Sequence, residues 1–167
     1  NRAASKYYCL CGDWSRAVDL CKANEMWGDA IQLARTHGDQ SGIKQIAYSC
    51  FVSRSEAGLD LVKQLGVADE ALEFAVEKGC FDHAFRIAKS CDQQKICYVH
   101  FKYALQLEKE HEYSKAEVEF LKASKPREAI DMYLHQKDFG AASRIAADNI
   151  PEASILAEAE LACESRD

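Results

Sequence analysis

Two thiol–imidazole pairs, Cys80-x-x-His83 and Cys97-x-x-His100, stand in the middle of the chain with thirteen residues between them. Zinc takes four ligands of this kind, and pairs spaced i, i+3 on two helices could close a tetrahedral site. Two features weigh against that chemistry. His83 occupies a slot filled elsewhere by Arg16, Asp29, Lys115 and Glu128, which predicts a solvent-facing side chain, and Cys80 falls in the turn ahead of its helix. The thiols of Cys9-Leu10-Cys11 would point apart on a helix, with only Lys6 nearby to stabilise a thiolate, so a packing or turn role is expected. His111-Glu112 lacks the second histidine of H-E-x-x-H, and no G-x-S-x-G, P-loop or G-x-G-x-x-G sequence occurs. The pairs Glu117/Glu119 and Glu108/Glu110 are assigned to exposed helix faces, and "LEKEHEY" at 107–113 to a solvated helix end. No catalytic residue, cofactor or metal ligand is therefore assigned.

The elements that carry these residues follow from a repeated phrase. Trp14-x-x-Ala17-Val18-x-Leu20-Cys21 is followed thirteen residues later by Trp27-x-x-Ala30-Ile31-x-Leu33-Ala34. The phrase returns as Ala68-x-x-Ala71-Leu72-x-Phe74-Ala75, Phe81-x-x-Ala84-Phe85-x-Ile87-Ala88 and Tyr113-x-x-Ala116. It closes with Pro126-x-x-Ala129-Ile130-x-Met132-Tyr133 and Phe139-x-x-Ala142-x-x-Ile145-Ala146. Positions i, i+3, i+4 and i+7 make one apolar stripe on a helix. The small residue at i+3 lets a neighbouring helix approach, and the aromatic at i fills the space near the turn. Trp14, Ala17, Trp27, Ala30, Ala71, Phe81, Ala84, Tyr113, Ala116, Ala129, Phe139 and Ala142 are thus expected to be structural joints between helices.

Helix boundaries agree with this frame. Gly38, Gly66 and Gly79 follow apolar runs, as left-handed C-terminal caps do; Asp13 and Asp138 stand where N-caps belong, and Pro126 suits a first turn. Pro151 similarly opens a last helix through Ile155, Leu156 and Leu161. The resulting parse places helices near 2–10, 13–23, 26–37, 40–52, 54–65, 67–78, 81–90, 93–109, 113–123, 126–136, 139–148 and 151–164. About twelve short helices joined by tight turns do not close into one bundle; they predict an all-α solenoid of antiparallel helices running continuously over 1–167.

Composition supports the same class. Of 167 residues only two are proline and eight glycine, and 48% are hydrophobic, enough to bury a core. The net charge of −6 arises from interleaved acids and bases, which gives no positive field for nucleic acid. No apolar run reaches the length of a membrane span, and the polar start is not a signal peptide. The lack of an initiating Met suggests a fragment of a larger protein. Eight cysteines are many, but Cys21 fills a repeat slot that Ala34 fills elsewhere, and Cys9, Cys50 and Cys97 lie among apolar helical residues. This predicts reduced thiols acting as small hydrophobes in a cytosolic chain.

Residues 101–126 resemble a tetratricopeptide repeat, with Ala104 and Leu107 on its first helix and Tyr113, Ala116, Phe120 and Ala123 on its second; Pro126 comes about two residues early. The tighter thirteen-residue beat elsewhere resembles the degenerate solenoids of membrane-coat and ciliary transport subunits. The segments "YYCLCGDWSRAVDLCKANEMWGDAIQLARTHG" and "KPREAIDMYLHQKDFGAASRIA", in this order, are similar to the family of large solenoid subunits of intraflagellar transport complex B. That resemblance implies a TPR-like segment downstream of β-propellers in a non-enzymatic scaffold of cilium assembly. Its implied partners are other complex B subunits and complex A, with no nucleic acid and no membrane insertion. Its implied location is the cytoplasmic side of the cilium or flagellum and the basal body. From the residues alone, a peptide-binding TPR module and a vesicle-coat solenoid are the alternatives.

Overall fold

The computed structural model describes residues 12–37, 40–54 and 56–149 of the 167. Among the described residues there are ten helices: α1 Trp14–Ala23, α2 Trp27–His37, α3 Gln40–Arg54, α4 Glu56–Gln64, α5 Ala68–Glu77, α6 Phe81–Cys91, α7 Lys95–Lys109, α8 Tyr113–Lys122, α9 Pro126–His135 and α10 Phe139–Asn149. They match the ten central helices of the sequence parse to within about two residues at each end. The count of twelve is reduced to ten because the helices expected over 2–10 and 151–164, with Pro151, Ile155, Leu156 and Leu161, lie outside the described residues. Cys9, Cys11 and Gly38 lie outside them too.

The helices fall into two compact units, one ending at Gln93 and one beginning at Gln94. In the first, each of α1 to α5 packs on its successor, and α3 also packs on α5. In the second, α7 pairs with α8 and α9 with α10, while α8 meets α9 less extensively.

Each repeat is a short helix preceded by one recurring turn. Gly12, Glu25, Gly66, Gly79, His111, Ser124 and Lys137 all have left-handed backbone, with φ between 56° and 77°. Each stands five residues before the alanine of its repeat: Ala17, Ala30, Ala71, Ala84, Ala116, Ala129 and Ala142. At Glu25 the turn closes with the Glu25 amide donating to the Lys22 carbonyl at 3.1 Å and the Met26 amide to the Cys21 carbonyl at 2.9 Å. This pair of bonds, the Schellman pattern, recurs at Gly66, Gly79, His111, Ser124 and Lys137, and satisfies carbonyls that the helix end would otherwise leave bare. The next helix begins at once. Asp13 accepts from the Arg16 amide at 3.2 Å, Asp138 from the Ala141 amide at 3.1 Å, and Pro126 takes the first helical position. A ten-residue helix and a three-residue turn make the thirteen-residue beat.

The small residue in each repeat lies in the core. All seven alanines are completely buried. Thirteen residues before Ala71 stands Gly58, buried on α4, where a Cβ would lie 2.5 Å from the Phe51 carbonyl oxygen and 2.8 Å from that of Cys50. Here α4 crosses the backbone of α3 with no room for a methyl group. Larger side chains fill the core as well: Phe51, Val62 and Ile87 in the first unit, and Phe120, Met132 and Ile145 in the second, are each at most 1% exposed. Each such burial stabilises by roughly 1.5–3 kcal/mol before the ordering entropy is counted against it.

Candidate functional site

The densest polar arrangement in the described residues is centred on α8, from which two carboxylates reach in different directions. Glu117 accepts from Arg144 of α10, Nη1 to Oε1 at 3.0 Å and Nη2 to Oε2 at 2.9 Å, and from the Tyr133 hydroxyl of α9 at 2.9 Å. Glu119 meets His100 Nδ1 of α7 at 2.6 Å and accepts from Lys122 of its own helix at 2.8 Å. Since Glu119 is a carboxylate and can only accept, His100 carries its proton on Nδ1. These two residues are not on the exposed face expected of them: Glu119 is 9% exposed, and the Glu117 side chain 13%. They interrupt the apolar stripe of α8 because partners on three other helices compensate their desolvation.

The electrostatics follow from these contacts. The Arg144 fork holds the Glu117 carboxyl below the usual carboxylate range, against the burial that would raise it, with help from Tyr133. Burial raises Glu119, but the bonds from Lys122 and His100 outweigh it and leave that carboxyl lowered as well. Tyr133 is pushed up to about 12, first by burial and then by its bond to the Glu117 anion.

In the first unit the polar contacts also run between helices. Lys44 of α3 donates to Glu77 at 2.7 Å and lies 2.9 Å from Glu73, both on α5, and these two bonds hold its ammonium well above the usual lysine range. Tyr48 Oη and His83 Nδ1 share a hydrogen bond of 2.7 Å from α3 to α6, within a group of rings that includes Phe51 and Phe74. His83 is thus half-buried and engaged, a correction to the solvent-facing position expected from its repeat slot. Burial, followed by the nearby Cys80 thiol, pushes Tyr48 up to about 12, so its hydroxyl stays protonated.

Cys80 stands at the N-cap of α6, in the turn as expected, and Cys80 and His83 belong to the first unit, Cys97 and His100 to the second. Each histidine is held by a partner in its own unit. Among the described residues, no group of three or more His, Cys, Asp or Glu side chains is placed to hold a metal ion. Cys21 and Cys50 are buried among apolar residues, and burial pushes the Cys50 thiol up to about 11. Cys97 is exposed, which corrects the apolar packing position expected for it.

The repeat residues divide by type. Beside the seven buried alanines, Trp27 and Phe81 are buried at 6% and 9% exposure, whereas Trp14, Tyr113 and Phe139 are half-buried. Trp14 stacks face to face on His37 across α1 and α2, ring centroids 3.4 Å apart, at the wall of an open cleft of about 350 Å³ that Val18, Leu33 and Ile46 also line. Tyr113 caps a turn instead, its hydroxyl 2.6 Å from Nδ1 of the left-handed His111. Sequence reasoning missed Glu117, Glu119 and the left-handed residues Glu25, His111, Ser124 and Lys137. The left-handed set was accessible from register alone, five places before each repeat alanine. The network ties helices together, and its charged groups are consumed in pairs rather than directed at a common point in a pocket. That arrangement suits a surface that holds shape.

No family model matches the chain. Over 146 residues it is 40% identical to intraflagellar transport protein 172 of Chlamydomonas reinhardtii, a match covering 87% of this chain and 8% of that protein. It is 39% identical over 150 residues to the intraflagellar transport protein 172 homolog of Danio rerio, covering 89% of the chain and 9% of the relative. With the Homo sapiens homolog the identity is 33% over 168 residues, covering 98% and 10%. The chain therefore spans about a tenth of the length of the curated relatives it matches.

Proposed function

The chain belongs, across nearly its whole length, to the intraflagellar transport protein 172 family, and on that premise we propose that it is a non-enzymatic scaffold segment of a train subunit. In this reading residues 1–167 form one continuous TPR-like α-solenoid, placed downstream of β-propellers in the complete protein. The twelve repeat residues from Trp14 to Ala142 are its packing joints. The segment presents lateral surfaces to other complex B subunits and contacts complex A, at the cytoplasmic side of the cilium or flagellum and at the basal body. Among the described residues no helix is long and apolar enough to cross a membrane.

The observation that carries this reading is the sustained identity with intraflagellar transport protein 172 over about nine-tenths of the chain. The physical character of the segment supports it. Among the described residues Lys44, Glu117 and Glu119 bind helix to helix, and the repeat unit is a helix and a turn.

The test is to excise this segment from the full-length protein and recover the remaining train subunits by affinity purification. Loss of complex B or complex A subunits from an otherwise abundant, intact protein is expected. Full recovery of every subunit, with normal cilium length, would overturn the scaffold reading. Tight binding of one short peptide, lost on changing a few residues of a single face, would favour the peptide-binding module instead.

A further inference from the structure

We draw no further inference here: the strongest candidate, the open cleft at the first turn of α2 where Met26, Gly28, Asp29 and Leu61 border the buried indole of Trp27, whose N–H has no acceptor among the described residues, carries nothing because nothing in the structure shows what covers it and one ordered water would satisfy that donor.

Discussion

Arg144 on α10 grips Glu117 on α8 through both terminal guanidinium nitrogens, at 3.0 and 2.9 Å, and so ties together two helices separated in the chain by α9. Tyr133 of α9 donates to the same carboxylate at 2.9 Å, so Glu117 links all three. The two contacts differ in worth. Arg144 is half-exposed, so solvent and salt screen its pair, and Arg144→Ala is expected to cost only about 0.5–1 kcal/mol. Glu117→Ala strands the buried Tyr133 hydroxyl and removes bonds to a charged acceptor, at about 2–3 kcal/mol. Chemical denaturation of the two single variants and the double variant measures this, and the double-mutant coupling should be close to the Arg144→Ala cost.

The same carboxylates set the acid limb of stability. A carboxyl whose folded pKa lies below its unfolded value binds its proton more tightly when unfolded. Its contribution is complete above the ordinary range near about pH 4.3 and is lost as pH falls through the lowered folded value. Glu117 and Glu119 are both lowered, so melting temperature should hold to about pH 5 and then fall. Glu117→Gln should lower stability at pH 7 and flatten the acid limb, with the two curves converging at the lowest pH.

On the alkaline side the sign reverses. Tyr133, raised to about 12, contributes stability that is complete below the ordinary tyrosine range near about pH 10 and is lost as pH climbs toward the folded value. Tyr133→Phe removes that alkaline loss. A melting series between pH 8 and pH 12, run on both proteins, would show the difference as a shallower decline in the variant.

Left-handed backbone at Glu25, His111, Ser124 and Lys137 predicts an uncommon response to glycine. An L-residue in that conformation costs about 1–2 kcal/mol, and glycine relieves it while giving up roughly 0.5–1 kcal/mol in unfolded-chain entropy. Lys137→Gly should leave stability unchanged or raise it by up to about 1 kcal/mol. Lys137→Val, β-branched at the same φ, should lower it by at least about 1 kcal/mol. Denaturant midpoints for the pair decide the matter, and equal losses in both would contradict the turn geometry.

Packing at the repeat's small and large positions can be probed from both directions. Gly58→Ala places a methyl against two carbonyl oxygens that belong to backbone, and separating α3 from α4 should cost about 3 kcal/mol, the upper part of the range for overpacking. Trp27→Ala removes a 94%-buried ring and should cost about 3–5 kcal/mol. Hydrogen exchange would localise both losses to the first unit.

How far these features were legible in the sequence depends on their range. Ala17, Ala30, Ala71, Ala84, Ala116, Ala129 and Ala142 could be placed because helical periodicity and a thirteen-residue beat are local properties, and Gly66 and Gly79 advertise their turns. His111 and Lys137 take the same backbone without glycine, so composition conceals them although register does not. Glu117 and Glu119 were assigned to an exposed face because a carboxylate in an apolar slot looks solvated when its partners are out of view. Tyr133, His100 and Arg144 stand 16, 19 and 27 residues away, and no periodic pattern links them. His83 was misplaced for the same reason, its partner Tyr48 lying 35 residues off.

The scaffold claim is tested most directly by cross-linking mass spectrometry on assembled intraflagellar transport trains containing the full-length protein. Lys115, Lys122 and Lys137, exposed on the second unit, supply the reactive amines. The account predicts cross-links from these lysines to other train subunits, reproducible between preparations and lost when the segment is excised. Cross-links confined to this protein itself, in trains that are otherwise densely cross-linked, would contradict it.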